Sequence, residues 1–356
     1  MIILGIESSC DETAAAVLEV RGARALLVSN VCASQVSIHA KTGGVVPEVA
    51  ARNHVGSILA VITKAYSKRK PAHSAGRPDY IAVTVGPGLV TSVSVGVACA
   101  RALSVLWNIP IVAVNHIEGH LYSNWLPPVG GISNFKFQIS NIEFPALVLI
   151  ASGGHTELIL MRDHGKYKKV GQTLDDAVGE AFDKVAKILG LGYPGGPAIS
   201  RHAESGDSQR FDFPRALLND STRIFDFSFS GLKTSVLYCV RELNAQEIFS
   251  KEIIPDLCAS FQRAAVDVLV AKTSRAAQLY RVKSVLLGGG VVANAELRSR
   301  MQTDLEREAP QCVLHIPALA FCTDNAAMIA MAGYFHAQKN DFTPLQKLDV
   351  KGGWEL

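Results

Sequence analysis

The stretch Ile2-Ile3-Leu4-Gly5-Ile6-Glu7-Ser8-Ser9-Cys10-Asp11-Glu12-Thr13-Ala14-Ala15-Ala16-Val17-Leu18-Glu19-Val20 decides the architecture. Ile2 to Ile6 is an uncharged apolar run of strand length, Glu7 to Thr13 is a polar turn, and Ala14 to Val20 is a second strand. A third strand, Leu26 to Ser34, and a helix from about Pro47 follow. Proline suits a first helical turn, where its missing N–H is not needed, and Val49, Ala50, Val55, Ile58, Leu59 and Ile62 are the expected buried face. Then come a strand at Ile81 to Val85, a helix ending near Trp107 and a strand at Ile111 to Val114.

The same order returns after a loop expected over Pro127 to Asn141. Strands at Leu147 to Ile150, Glu157 to Met161 and Tyr167 to Val170 are predicted, with a tight Ser152-Gly153-Gly154 turn after the first. Helices at about Gly179 to Leu189 and Pro255 to Tyr280, a strand at Val285 to Leu287, a helix from Asn294 and a last helix from Thr323 complete the chain. This is the pattern of a duplicated α/β lobe with a cleft between the copies. The expected lobes are residues 1–125 and 126–356, the last helix packing back near the first lobe.

With 356 residues, 48% hydrophobic and 19% charged, the chain is long enough for two cores, and its composition excludes disorder and collagen-like repeats. A net charge of +3 gives no global field for nucleic acid or membrane, so such contacts must come from local patches. Seven scattered cysteines without a C-x-x-C pair argue for free thiols in a reducing compartment. With no leader-like features ahead of Ile2, a cytoplasmic protein is expected, and a processed mitochondrial or plastid form is the alternative. Ile81 to Ala100 is uncharged and long enough for a membrane span, but Gly86-Pro87-Gly88 splits it into a strand and a helix.

Three glycine-containing turns follow predicted strands: Gly5 to Thr13, Ser152 to Thr156 and Gly288 to Gly290. Each is either a tight turn needing positive φ or a cradle for a phosphate; three at strand ends favour a nucleotide. His116 and His120, at i and i+4, share a helical face and either hold one metal ion or form a structural pair. Glu118 points roughly 200° away from His116 around a helix, which disfavours a zinc peptidase. Asp324 is the best third ligand on pattern, and Thr323 or Asp324 as a helix cap is the competing reading.

In combination, several segments resemble one family. They are Gly5-Ile6-Glu7-Ser8-Ser9-Cys10-Asp11-Glu12-Thr13, Thr42-Gly43-Gly44-Val45-Val46-Pro47-Glu48, Asn115 to His120, Ala151-Ser152-Gly153-Gly154-His155-Thr156, Gly179 to Lys184, Tyr193 to Pro197, Phe227 to Thr234 and Cys322 to Asn325. From residue 2 to about residue 334 the chain resembles the TsaD family, the tRNA N6-adenosine threonylcarbamoyltransferases. The resemblance implies an actin-like ATPase fold of the sugar-kinase and Hsp70 type, with two duplicated lobes and a central cleft. It implies transfer of threonylcarbamoyl from threonylcarbamoyl-AMP to N6 of adenosine 37 in tRNAs reading ANN codons. Carried over by motif, His116, His120 and Asp324 would ligate a divalent metal, usually assigned as iron, with zinc or magnesium as alternatives. Ile150, Ala151, Ser152, Gly153, Gly154, Asp183, Gly196 and Asn294 would bind the adenylate. Ser200 stands where the family often has Asp, and its hydroxyl would partly replace the acid. The segment between His120 and Ser152 is longer than in compact bacterial members.

Asp11 or Glu12, in the polar turn, is the candidate to orient N6 or accept its proton; Asp11 as an Asx-turn residue is the bland alternative. His155 either binds phosphate or stacks on the sheet. The basic clusters Lys64, Lys68, Arg69, Lys70 and Arg162, Lys166, Lys168, Lys169 are either tRNA contacts or solvated loop faces. The resemblance implies partners: a TsaB-like paralogue and a TsaE-like ATPase, or a homodimer in an organellar member, with the adenylate made by a separate synthase. A metallopeptidase, a small-molecule kinase of the same fold and a silent binding subunit are the competing functions.

Overall fold

The computed structural model describes residues 1–67, 77–127, 137–139 and 142–356. Lys68, Arg69 and Lys70 of the first basic cluster, and most of the loop expected over Pro127 to Asn141, lie outside the described residues. In chain order the elements are β1 (Ile2–Glu7), β2 (Glu12–Arg21), β3 (Arg24–Ser34), α1 (Val36–His39), α2 (Pro47–Ser67), β4 (Tyr80–Gly86), α3 (Val90–Trp107), β5 (Ile111–Asn115), α4 (His116–Tyr122) and β6 (Phe137–Gln138). There follow β7 (Ala146–Ala151), β8 (Thr156–Asp163), β9 (Lys166–Gln172), α5 (Val178–Ile188), α6 (Gly195–Ala203), α7 (Ser230–Ala245), α8 (Ile254–Leu279), β10 (Ser284–Gly288), α9 (Ala295–Glu308), β11 (Val313–His315) and α10 (Ala326–Gln338).

Two compact units result: Met1–Ile142 with Pro317–Leu356, and Glu143–Ile316. This division differs from a break after residue 125. β6 pairs with β3, and the chain from Pro317 onward returns to the first unit because α10 packs on β1.

The sheet of the first unit has the order β5-β4-β1-β2-β3-β6, that of the second β11-β10-β7-β8-β9. In each, a central strand (β1, β7) has an antiparallel hairpin on one side and two parallel strands on the other. That shared topology is the duplication read from the sequence. Parallel strands buried on both faces carry continuous apolar runs, as in Tyr80–Gly86 and Ser284–Gly288. In the first unit Leu4, Ile6, Val17, Ile58, Val83, Val93 and Val97 form the core under α2 and α3, while Gly5 faces α10.

The buried face of α2 is rotated from the expected one. Ala50, His54, Ile58, Val61, Ile62 and Ala65 point inward, whereas Val55 and Leu59 are 66% and 65% exposed. The reason is His54, a polar residue that apolar patterning assigns to solvent. It is buried, its Nε2–H donating to the Cys10 carbonyl (3.0 Å) and its Nδ1 accepting from the Thr13 hydroxyl (2.7 Å). Those bonds fix the turn carrying Asp11.

The uncharged stretch from Ile81 divides into β4 and α3, as its Gly-Pro-Gly turn predicts. By length and composition alone α3 could cross a membrane; here its inner residues Val93, Val97 and Ala100 pack in the core. The C-terminal tail closes over the same region. Lys351 N–H donates to the Val85 carbonyl (2.7 Å), Leu348 enters the core, and the Trp354 carbonyl accepts from Asn115 Nδ2 (3.1 Å).

Candidate functional site

Asn115 ends β5 and caps α4, its side-chain oxygen accepting from the N–H groups of Ile117 (2.8 Å) and Glu118 (3.3 Å). This cap starts the helix at His116, so that His116 and His120 stack one turn apart, edge to face, with ring centroids 4.8 Å apart. Asp324 arrives from the turn before α10. The last helix, expected from Thr323, begins at Ala326, and the competing reading of Thr323 or Asp324 as its cap does not hold: Asn325 caps it by accepting from Met328 N–H (3.1 Å). The acid is left to point at the imidazoles.

Asp324 Oδ1 lies 3.3 Å from His120 Nε2 and 3.5 Å from His116 Nε2, and one ligand atom from each residue falls within 4.8 Å of the others. Donors about 2.1 Å from a tetrahedral ion stand roughly 3.4 Å apart, so the spacing suits an ion between them. His120 supplies the fit test. It is fully buried and neither ring nitrogen has a hydrogen-bond partner, a costly state that a metal bond would relieve. The three residues could hold a metal ion.

Sequence reasoning missed the groups behind His116. Its Nδ1 is 3.0 Å from Glu7 Oε2 and 3.1 Å from Ser9 Oγ, and Thr84 donates to Glu7 Oε2 (2.6 Å). Burial works against a charged His116, but Glu7 and Asp324 beside it outweigh that and push its pKa up to about 9. Burial likewise disfavours the Glu7 carboxylate, yet His116 and the hydrogen bonds hold it below the usual range. The only sequence signal was a Glu within the strand-to-turn segment, where an apolar residue suits burial better.

Asp11 is almost wholly buried in the turn after β1, and burial, opposed by a hydrogen bond from Cys10 and aided by nearby Asp324, raises its pKa. Glu12 opens β2 and accepts from Ser34 Oγ (2.8 Å) and Cys32 Sγ (3.1 Å). Glu118 is engaged elsewhere: its carboxylate meets His336 Nε2 (2.8 Å), whose Nδ1 meets Asp341 (2.7 Å). Burial disfavours His336 charge, but Glu118 and Asp341 push it up to about 9. Since an unfolded histidine titrates near 6.5, this contribution is full below that pH and fades as pH rises towards 9. Urea unfolding should therefore show the wild type losing roughly 2–3 kcal/mol relative to His336→Gln between pH 6.5 and 9. A constant difference between the two proteins would refute the pairing.

The second unit gathers the predicted adenylate residues by itself. Ile150 and Ala151 end β7, and the following turn closes through Ser152 N–H to the His155 carbonyl (2.8 Å) and His155 N–H to Ser152 Oγ (3.1 Å). Gly179 and Gly289 (φ +97°) pack so closely on Ser152 and Ala151 that a Cβ would lie 2.5 Å and 2.4 Å from their carbonyl oxygens. At Gly153, Gly154 and Gly196, by contrast, a Cβ would meet nothing within 4 Å, leaving open backbone that a ligand can approach. Asp183 accepts from Gly195 N–H (2.7 Å), tying α5 to α6. Asn294 caps α9 through Leu297 N–H and donates to Ser200 Oγ (2.8 Å) and Gln262 Oε1 (2.6 Å). Ser200 donates to Gln262 Oε1 (2.9 Å), so Gln262 links two predicted ligand contacts and was not anticipated. In the basic hairpin the exposed Lys166 pairs with Asp163, and the largely buried Lys169 with Glu157.

Comparison with known proteins agrees with both units. The family model for TsaD, tRNA N6-adenosine threonylcarbamoyltransferase, matches residues 26–331. The Thermomicrobium roseum protein of that name is 49% identical, with 95% of this chain and 93% of the relative covered. The Bacillus subtilis protein of that name is 48% identical over 95% and 91% of the two chains. A solved structure of HypF in its phosphate- and nucleotide-bound form superposes with a TM-score of 0.58 at 13% identity. That likeness covers 95% of this chain but only 46% of HypF, and it bears on the fold alone, the duplicated actin-like α/β type. The extent of the family match and the level of identity settle the assignment: this chain belongs to the TsaD family of tRNA N6-adenosine threonylcarbamoyltransferases.

Proposed function

We propose that the chain transfers the threonylcarbamoyl group of threonylcarbamoyl-AMP to N6 of adenosine 37 in tRNAs reading ANN codons, releasing AMP. The observation that carries this reading is the buried pair of imidazoles converging with Asp324, in a chain of this family. Ile150 to Gly154, Asp183, Gly196, Ser200 and Asn294 hold the adenylate, the open backbone at Gly153, Gly154 and Gly196 admitting it closely. As N6 bonds to the carbamoyl carbon, the carbon–oxygen bond to phosphate breaks and AMP leaves with its electron pair. Asp11 or Glu12 orients N6 or takes the proton it loses; the raised pKa of each favours proton acceptance.

His116, His120 and Asp324 hold the metal, and two imidazoles with one carboxylate favour iron over magnesium. When bound, such an ion polarises the acyl group as a Lewis acid. Small net charge points to help in gripping tRNA, from a TsaB-like paralogue and a TsaE-like ATPase or from a second copy of the chain. Seven scattered cysteines without a C-x-x-C pair suit the reducing cytoplasm.

Mass spectrometry of tRNA nucleosides after incubation with protein, partners and threonylcarbamoyl-AMP tests the reaction; unmodified adenosine 37 throughout would reject it. Ser200→Ala removes one neutral hydrogen bond and should weaken adenylate binding only about 3- to 10-fold by calorimetry. An unchanged Kd would remove Ser200 from the adenylate site.

A further inference from the structure

We propose that Glu7 is a positioning residue of the metal centre, its buried carboxylate fixing the His116 ring so that Nε2 faces His120 and Asp324. This rests on the metal-binding reading of those three residues. Glu7 is fully buried at the end of β1 and is held from three directions. Oε1 accepts from Ser9 N–H (2.5 Å), while Oε2 accepts from the Thr84 hydroxyl on β4 (2.6 Å) and from His116 Nδ1 (3.0 Å) on α4.

An ionised carboxylate only accepts, so the proton between it and the ring sits on His116 Nδ1. The nitrogen left for a metal, which would displace any proton held there, is then Nε2, the atom facing Asp324. Because the carboxylate is anchored by its own turn and by a neighbouring strand, it cannot swing to follow the ring; the ring must follow it. His120 has no such partner on either nitrogen. The two imidazoles are therefore unequal: His116 is held by a hydrogen bond behind the ring, and His120 by packing alone. A buried carboxylate behind a ligating histidine also raises the donor strength of that ring, and loss of such a partner typically weakens metal affinity 10- to 100-fold.

Cobalt(II) titration of the full chain, followed by visible absorption, tests this without recourse to catalysis. Glu7→Ala should raise the cobalt Kd about 10- to 100-fold, with Glu7→Gln in between because it keeps an acceptor oxygen and loses the charge. Ring nitrogen shifts of His116 should lose their Nδ1-protonated pattern in Glu7→Ala. Glu7→Gln should add no loss on a His116→Ala background. If Glu7→Ala fails to fold, the Gln variant carries the test. A Glu7→Gln protein with wild-type cobalt affinity, or one weakened equally with and without His116, would overturn the proposal. Cobalt binding unaffected by His116→Ala, or absent from the wild type, would overturn the metal reading as well.

Discussion

An Asp324→Ala protein is expected to fold, to bind metal more than about 100-fold more weakly than the wild type, and to lose transfer with it. Removing a direct ligand exceeds the effect of removing an outer partner. If Lewis-acid polarisation contributes roughly 3–4 kcal/mol to the transition state, turnover falls about 10²- to 10³-fold. His120→Leu should do the same to metal and activity while acting oppositely on the metal-free fold. In the absence of an ion, two buried ring nitrogens lack partners, and an apolar side chain of similar size removes that penalty. Elemental analysis and thermal unfolding of metal-stripped protein check both halves. A full metal load in Asp324→Ala, or a metal-free His120→Leu that melts well below the wild type, would contradict the assignment.

Gly5→Ala should be among the most destabilising single changes in the first unit, by about 3 kcal/mol. Its Cβ would lie 2.2 Å from the Ala326 carbonyl oxygen and 3.0 Å from Ala330 N and Cβ, atoms with no rotamer by which to escape. Either β1 or the first turn of α10 must move, and that turn begins two residues after Asp324. Metal affinity should therefore fall along with stability. Gly56→Ala on α2 is the control, since nothing lies within 4 Å of the added carbon and a helix interior favours alanine by up to about 1 kcal/mol. Urea midpoints for the two variants should move in opposite directions. A Gly5→Ala protein as stable as the wild type would show that the contact is soft.

Periodicity made the duplicated sheets readable, because buried parallel strands such as Tyr80–Gly86 are unbroken apolar runs and the turns after β1 and β7 are marked by glycine or polar residues. It misplaced the face of α2, since hydropathy assigns His54 outward and cannot register its bonds to Cys10 and Thr13. The i, i+4 histidines and Asp324 were visible as residue types at suggestive spacing. Their convergence was not, because Asp324 is brought to α4 by the packing of α10, whose cap is Asn325 and not the acid. Glu7, Thr84 and Gln262 escaped notice for a related reason: each acts through a partner distant in the chain, and no local pattern records such a bond.

The first unit is noncontiguous, with Glu143–Ile316 inserted between its two segments, and the ligands come from both sides of that insertion. An ion held by His116, His120 and Asp324 thus acts as a removable cross-link that closes a loop of about two hundred residues, the kind of closure whose entropy grows with length. Chelation would then do more than disarm a reagent: it would remove one tie on a returning segment that α10 on β1 and Leu348 in the core still hold, lowering the stability of that unit without unfolding it.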